Sequence, residues 1–407
     1  MTQAGYIINR QEGPLSKRGT WPFLRHLDLE LTHRCNNNCI HCWVNIPADA
    51  VKATKAEMPT EVILQLLVEA KILGCSSVRF TGGEPLIRQD FEEIFRFAKK
   101  LRMNVFLLTN ATRLTPRLAK LLKTGHPGDL VEVTAYGMKR CSYEEVSRFP
   151  GSYEAFCRGI RLLQKNDVPF SVKSALLPPN REEIDLLEAW TQTLPATQAP
   201  GFSMTFDLRV RRDSPGKNRI IQSLRASPDE VVSFYSKKAL EHADGITRFC
   251  STHVGPHGSS LFSCGGGYKM AAIDPYGALF PCLCLRHPQA TYELKSGSLT
   301  DAVTRFLPEL RKMNSQYPPY LKRCAKCFLH GLCEQCPGKS WIEHGTFDTP
   351  VEYLCQVAHS QAQSFGLIKN GERGWEVRNW RKRIRSLQEQ TMSPPFKQPL
   401  AKRAKTK

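Results

Sequence analysis

The chain has 407 residues, of which 41% are hydrophobic and 23% are charged, so it is long enough to bury a substantial core and to form two domains. No apolar run reaches the ~20 residues of a membrane span, and the first 20 residues lack the apolar segment of a secretory signal. These features predict a cytoplasmic protein without a membrane partner. In that reducing compartment the 15 cysteines are expected to bind metals rather than to form disulfides.

Much of the net charge of +19 lies at the C-terminal end, where the chain from Lys369 onward carries 12 Lys or Arg and 3 Asp or Glu. The last part of this segment is poor in apolar residues, so residues 367–407 are predicted to be a basic, partly disordered tail. A solvated tail is the simplest interpretation. Contact with an acidic peptide or with nucleic acid is the alternative, and nucleic acid is the less favoured partner.

Six strand-like segments alternate with helical segments in the first half of the chain. The strands are predicted at 27–32, 76–83, 104–112, 129–137, 170–177 and 202–210. The helices are predicted at 60–74, 90–101, 114–122, 153–166 and 181–194. This alternation predicts an α/β fold, a partial parallel (β/α)6 TIM-like barrel. In such barrels the chemistry takes place at the C-terminal ends of the strands.

The pattern changes beyond the sixth strand. We predict an N-terminal extension over 1–24, a core over 25–210 and a connector with one or two helices over 211–249. From Cys250 the chain becomes richer in Cys, Gly, Pro and Tyr, which predicts a small, loop-rich C-terminal domain over 250–366.

Three cysteines, Cys35, Cys39 and Cys42, follow the first strand within LTHRCNNNCIHCWVN. Thiolates bind soft metals, and a zinc site completed by His33 or His41 is one interpretation. The Cys-x3-Cys-x2-Cys spacing is unusual for zinc, and it resembles the motif by which radical S-adenosylmethionine (SAM) enzymes hold a [4Fe–4S] cluster. The resemblance implies that three cysteines bind three irons and that the fourth iron stays open to SAM.

A second motif, VRFTGGEPL at 78–86, lies at the end of the second predicted strand. An ordinary strand–turn–helix with Pro85 near the helix start is the alternative interpretation. The motif resembles the Gly-Gly-Glu-Pro segment of the same superfamily. The resemblance implies that Gly82 and Gly83 let the backbone approach the ligand closely, and that Glu84 accepts a hydrogen bond from the amino group of SAM.

Further contacts with SAM are implied by the same resemblance. Asn110 and Thr134 would approach the ribose or the adenine, and Lys173 would pair with the carboxylate of SAM, although Lys173 could equally serve a local partner. His41 and Trp43 could pack on the adenine, or Trp43 could pack within the protein.

The chemistry implied by the family is a one-electron reduction of SAM, which yields methionine and a 5′-deoxyadenosyl radical that takes a hydrogen atom from the substrate. An electron donor such as flavodoxin or ferredoxin is therefore expected. The sequence identifies no catalytic acid or base.

Seven more cysteines follow in the pattern Cys-x12-Gly-x4-Cys, then Cys-x2-Cys-x5-Cys-x2-Cys, then a last Cys. Two zinc sites are the alternative interpretation. The pattern resembles the SPASM extension of radical SAM enzymes, which implies two auxiliary [4Fe–4S] clusters and three clusters in all. The interleaved ligation of that family implies one cluster on Cys264, Cys282 and Cys336. It implies a second cluster on Cys324, Cys327, Cys333 and Cys355.

The first auxiliary cluster then lacks a fourth ligand, which Cys250 or Cys284 could supply, unless the site stays open to substrate. Cys333 and Cys336 are separated by two residues where several SPASM members have three, so the interleaving is less secure than the cluster count. The remaining cysteines are predicted to be buried thiols without a metal: Cys75, Cys141 and Cys157.

SPASM enzymes mostly modify peptides or proteins. Sulfatase maturases place an Asp after the second SPASM cysteine, where this chain has Leu283. The segments VTAYG, PGSYEAFCRGIRLL, CPGKSWIEHG and PVEYLCQVAH instead resemble the peptide-maturase branch associated with a PqqD-like chaperone. Only about 26 residues precede the first strand, so a leader-binding domain of this kind is expected to be a separate partner.

The predicted function is hydrogen abstraction from a ribosomally made peptide. Three alternatives stay open: a small molecule or cofactor precursor as in haem-pathway relatives, RNA as the substrate, and a zinc-stabilised binding module without enzymatic activity.

Overall fold

The computed structural model describes residues 24–123, 128–195, 201–209, 213–234, 255–333 and 335–392. Cys250 and most of the second half of the predicted connector lie outside the described residues. Within the described part of the connector, one helix spans Pro215–Ser223 and residues 228–234 are also helical.

A nine-stranded sheet forms the centre of the fold, in the order β11-β10-β9-β1-β4-β5-β6-β7-β8, and β2 and β3 pair separately. The strands are β1 His26–Thr32, β2 Arg34–Cys35, β3 Ile46–Pro47, β4 Ser77–Gly82, β5 Asn104–Thr109, β6 Leu130–Thr134, β7 Phe170–Ala175, β8 Phe202–Thr205, β9 Met270–Ile273, β10 Ala278–Phe280 and β11 Tyr292–Glu293. The six predicted strands lie side by side in chain order, and all their pairings are parallel. The predicted parallel α/β core is therefore confirmed.

Helices cover the sheet and build the C-terminal region. The first eight are α1 Val51–Ala56, α2 Thr60–Ile72, α3 Phe91–Lys100, α4 Pro116–Lys123, α5 Arg140–Ser147, α6 Ser152–Lys165, α7 Ile184–Gln192 and α8 Pro215–Ser223. The later ones are α9 Leu299–Asp301, α10 Leu307–Leu310, α11 Pro318–Lys322, α12 His330–Cys333, α13 Pro337–His344, α14 Glu352–Ser364 and α15 Trp380–Met392. A π-helical turn, Ala302–Phe306, joins α9 to α10.

Helix α3 shows why these segments fold as they do. Its buried residues, Phe91, Ile94, Phe95 and Ala98, recur at the spacing of one helical face. The last turn carries two lysines, which complement the negative end of the helix dipole. The intervening residues, such as Glu93 and Arg96, are charged and stay in solvent, so the apolar face is the one that packs against the core.

Strand β1 has an apolar face and a charged face, and both are buried. Its leucines at 27, 29 and 31 belong to the main hydrophobic core. On the other face Asp28 lies 2.7 Å from Arg79 of β4, and Glu30 lies 2.7 Å from Arg286. The leucines share the core with apolar residues of α2 and α3, so the charged face lies on the side of the sheet away from these helices and is a buried polar surface.

The C-terminal region is joined to the core through the sheet. Strand β9 pairs with β1 in parallel, from His26 opposite Met270 to Leu29 opposite Ile273. Strands β10 and β11 continue the sheet in antiparallel pairing. The division at 210 and 250 stays a prediction, and the sheet itself runs across it.

The predicted basic tail begins inside a packed segment. Residues 367–392 include helix α15, and Leu367, Ile368, Val377 and Ile384 are buried with Phe328 in a second hydrophobic cluster. The charge count hid these four apolar positions, so the prediction of a tail from residue 367 is corrected for residues 367–392. Residues 393–407 lie outside the described part of the chain.

None of the helices in the described residues is long and apolar enough to cross a membrane.

Candidate functional site

The first cysteine loop emerges from the C-terminal end of β1. Cys35 ends the short strand β2, and Arg34 before it forms two hydrogen bonds with the Glu57 carboxylate, at 2.8 and 3.0 Å. On its other side, two loop N–H groups donate to the last carbonyl oxygens of α5, at 2.9 and 3.0 Å. The loop is therefore anchored to both neighbouring segments of the barrel, at the edge where parallel α/β folds place their chemistry.

Gly82 and Gly83 hold this loop in place. A Cβ on Gly82 would lie 2.1 Å from the carbonyl oxygen of Thr32, and one on Gly83 would lie 2.2 Å from that of Arg34. Gly82 also has a φ of +119°, which favours glycine. The glycines thus allow the close approach of the chain that leads into Cys35, a role that the motif alone did not indicate.

Glu84 is completely buried and ties two strand ends together. Its carboxylate accepts hydrogen bonds from the Leu86 N–H at 3.1 Å, the Thr109 hydroxyl at 2.8 Å and the Asn110 N–H at 2.8 Å. Burial raises the pKa of Glu84 to about 7, although these hydrogen bonds oppose the rise. A carboxylate has about four acceptor positions, so one stays available for the amino group that the sequence predicts.

The other predicted SAM contacts lie along the same edge of the sheet. The Asn110 amide nitrogen lies 3.7 Å from the sulfur of Cys35, which places Asn110 against the cysteine loop. Thr134 and Lys173 are opposite one another on β6 and β7. Lys173 is 3.7 Å from Glu132, the local partner that the alternative interpretation required. Burial lowers the pKa of Lys173.

The three thiols of the loop lie close enough to influence one another. Burial raises the pKa of Cys35, and negative charge on Glu84, Cys39 and Cys42 raises it further. Burial also raises the pKa of Cys39 to about 12. A metal cluster binds thiols in their deprotonated form, so its positive charge would relieve this crowding. The donor set fits an iron–sulfur cluster in this respect.

Two buried polar groups beside the thiols are without a partner. Asn37, which is 3% exposed, has no hydrogen bond to either side-chain atom, and neither has Nδ1 of His41. Burial lowers the pKa of His41 to about 4. Such unsatisfied groups are costly in a folded protein, and they mark this loop as a place for a ligand.

Four thiols gather in the first C-terminal group. A Cβ on Gly266 would lie 3.5 Å from the sulfur of Cys264 and 3.7 Å from the Cβ of Cys282. Negative charge on Cys264 and Cys284 raises the pKa of Cys336, after the larger effect of burial. The hydrogen bond from Cys282 lowers the pKa of Cys284 to about 6.

The second C-terminal group lines a cavity of about 380 Å³, counting its open mouth. All four predicted ligands line it: Cys324, Cys327, Cys333 and Cys355. His359 and Trp375 are part of the same wall. These four thiols therefore share one cavity, and Cys336 is not part of its lining, as the interleaved ligation implies.

Arg286 and Glu30 connect the C-terminal region to the barrel, and neither residue was predicted from the sequence. The Arg286 guanidinium binds Glu30 and also lies 4.8 Å from the ring centre of Trp43, with Arg209 at 5.2 Å. Burial raises the pKa of Glu30, but Arg286 and His33 bring it to about 2. Acidic residues at alternate positions of LDLELT were the available signal, because they predict a polar interior face.

The other described cysteines lie outside these groups. Cys75 is buried, as predicted, and Cys157 is half-buried. Cys141 is exposed on α5, so its prediction as a buried thiol is wrong; its face of the helix points to solvent. Among the described residues, no three His, Cys, Asp or Glu side chains are grouped to hold a single metal ion. Ligation by the named cysteines stays a prediction.

Comparison with known proteins extends these observations. The family model of the Radical SAM superfamily matches residues 29–189. An AdoMet-dependent heme synthase of Methanosarcina barkeri is 24% identical over 345 residues, 78% of this chain and 92% of that protein. The subtilosin biosynthesis protein AlbA of Bacillus subtilis is 23% identical over 82% of this chain and 72% of its own length. The PqqA peptide cyclase of Granulibacter bethesdensis is 24% identical over 62% of this chain and 66% of its own length.

The fold is also found in solved structures. Streptococcus suis SuiB bound to its precursor peptide SuiA superposes with a TM-score of 0.57 and 15% identity, over 79% of this chain and 76% of SuiB. At this identity the likeness shows the fold alone. The family match runs from within β1 to within α7 and includes the cysteine loop and Glu84. The chain therefore carries a radical SAM domain over residues 29–189, and the cofactors of this domain family are SAM and a [4Fe–4S] cluster.

Proposed function

We propose that this enzyme modifies a ribosomally made peptide and holds three [4Fe–4S] clusters, one that binds SAM and two auxiliary clusters. The observation that carries the proposal is the grouping of eleven cysteines into three separate sets. One set lies at the C-terminal edge of β1, and the other two lie in the C-terminal region. A barrel cluster with two further clusters behind it is the arrangement that SPASM enzymes share.

In the barrel, Cys35, Cys39 and Cys42 would hold the cluster whose open iron binds SAM. When bound, SAM and the reduced cluster supply the radical that abstracts hydrogen. The residues of the chain position SAM: Glu84 has an acceptor position left for the amino group, and Lys173 offers a cation for the carboxylate. Asn110 and Thr134 would approach the ribose or adenine from neighbouring strand ends.

The peptide substrate is supported by the relatives. One relative is named as a PqqA peptide cyclase, and another, AlbA, is named for the biosynthesis of the bacteriocin subtilosin. SuiB, which shares the fold, has been solved bound to the precursor peptide SuiA. We also propose that a separate PqqD-like chaperone binds the leader of the peptide and that flavodoxin or ferredoxin donates the electron. The auxiliary clusters would move electrons or bind substrate.

A small-molecule substrate is the second candidate, favoured by the heme synthase that aligns over 92% of its own length. The test incubates the reconstituted enzyme with SAM, dithionite and deuterated peptides encoded beside its gene. Deuterium in 5′-deoxyadenosine together with a mass change in one peptide would support the proposal. Unchanged peptides, with SAM cleavage that a tetrapyrrole accelerates, would favour the small-molecule enzyme instead.

A further inference from the structure

We propose that Cys284 is the fourth thiolate of the first auxiliary cluster, together with Cys264, Cys282 and Cys336. The inference rests on the proposed iron–sulfur function and goes one step beyond it. It decides which role this cluster can play, because a cluster bound by four cysteines has no iron open to a substrate atom.

The backbone brings three chain segments together at this point. Gly266, two residues after Cys264, faces Cys282, since a Cβ on Gly266 would lie 3.7 Å from the Cβ of Cys282. The N–H of Gly267 donates to the carbonyl oxygen of Pro281 at 2.9 Å and fixes the same contact along the backbone. Cys264 and Cys282 are therefore held side by side.

Cys284 meets the third segment. A Cβ on Gly338 would lie only 2.8 Å from the Cβ of Cys284, so glycine is required where the chain passes Cys284 two residues after Cys336. Helix α13 begins immediately after Cys336, which fixes the direction of this approach. The position of Cys284 among the ligands is thus set by backbone packing.

The two cysteines of the 282–284 segment face a common space. A turn closes here, with the Leu285 N–H donating to the carbonyl oxygen of Cys282 at 3.3 Å. A Cys-x-Cys pair folded in this way can offer both sulfurs to one cluster.

Other described thiols are placed elsewhere. Cys75 donates to the carbonyl oxygen of Ser77 at 3.1 Å, at the start of β4. Cys141 and Cys157 lie on α5 and α6 of the core. Within the part of the chain that the structure describes, Cys284 is the cysteine that joins the other three.

The assignment is tested by alkylation of the full-length protein. Iodoacetamide is applied to the anaerobically reconstituted protein and to the metal-free protein, and labelled cysteines are mapped by mass spectrometry. Cys284 should be protected at least tenfold by reconstitution, while the exposed Cys141 is labelled equally in both forms. Labelling of Cys284 at the rate of Cys141 in the reconstituted protein would overturn the assignment.

Variants give a second, spectroscopic test. Cys284→Ala should either lower the iron count by about four per chain or change the EPR signal of one reduced auxiliary cluster, with the change reversed by added 2-mercaptoethanol. Cys284→Ser preserves the side-chain size, and Cys141→Ala is the matched control. Identical iron counts and spectra in Cys284→Ala and Cys141→Ala would refute the role of Cys284 but not the iron–sulfur function. Wild-type protein that binds no iron would refute both.

Discussion

Gly374 packs against Cys327 beside the cavity lined by Cys324, Cys327, Cys333 and Cys355, and we expect Gly374→Ala to disturb that cavity. A Cβ at this position would lie 2.6 Å from the sulfur of Cys327 and 2.9 Å from the side chain of Leu329. Carbon and other heavy atoms normally pack at ~3.5–4.0 Å, so the overlap with Cys327 is about 1 Å. Gly374 is buried and its φ is not in the left-handed region, so the expected cost is steric.

The backbone of Gly374 cannot move away freely. Its N–H donates to Nε2 of His359 at 3.0 Å, and its carbonyl oxygen accepts from the Phe328 N–H at 3.3 Å. Overpacking of a well-packed site costs about 1–3 kcal/mol, so we expect the variant to lose about 2 kcal/mol of folding stability. A shift of Cys327 should also weaken cluster binding.

The assay compares the reconstituted wild type with Gly374→Ala in urea unfolding, in iron content and in the rate of cluster bleaching in air. Gly216→Ala is the matched control, because Gly216 is exposed in α8 and a Cβ there would meet nothing within 4 Å. The control should match or exceed wild-type stability. If Gly374→Ala unfolds and bleaches as the wild type does, residues 367–392 do not close this cavity.

Three further predictions follow from the site. Arg286→Met should destabilise the protein by about 3 kcal/mol in urea unfolding, because it leaves Glu30 buried without its main partner. Arg305→Met removes an exposed ion pair and should change the stability by less than about 0.5 kcal/mol. Equal effects of the two variants would refute this role of Arg286. Since the folded pKa of Glu30 is about 2 and its usual value is 4.5, its contribution to stability is complete above pH 4.5 and is lost as the pH falls towards 2. The stability deficit of Glu30→Gln should therefore shrink between pH 4.5 and 2, and a deficit that stays constant would count against it. Finally, the Cys264/Cys336→Ala double variant should lose about four irons, because both cysteines would bind the same cluster. The Cys336/Cys355→Ala double variant should lose about eight irons, because its two cysteines would bind different clusters. The reverse order would disprove the interleaved ligation.

Regular periodicity made the core predictable. The predicted first strand, 27–32, is observed as His26–Thr32, and the predicted helix at 153–166 is observed as Ser152–Lys165. The predicted sixth strand, 202–210, is observed only over Phe202–Thr205. The helices α1 and α5 were not predicted, and the six residues of α1 give too little periodic signal for such a prediction.

The C-terminal region was less predictable because its order depends on distant contacts. Strand β9 has four residues and is a strand by virtue of its pairing with β1, more than 200 positions earlier. The packed residues 367–392 were hidden within a strongly basic composition. Cysteine spacing predicted two C-terminal groups and offered Cys284 as one candidate ligand, whereas its approach to the segment after Cys336 depends on Gly338 and could not be read from spacing.

In the proposed enzyme, three cysteines of the barrel loop hold the cluster that cleaves SAM, and two further clusters lie behind it. The direct measurement counts iron and sulfide in anaerobically reconstituted protein and follows 5′-deoxyadenosine formed from SAM with dithionite, beside the Cys35/Cys39/Cys42→Ala variant. We predict about twelve irons per chain, a loss of about four in the variant, and no SAM cleavage by it. Zinc in place of iron, or SAM cleavage that survives the triple substitution, would contradict the account.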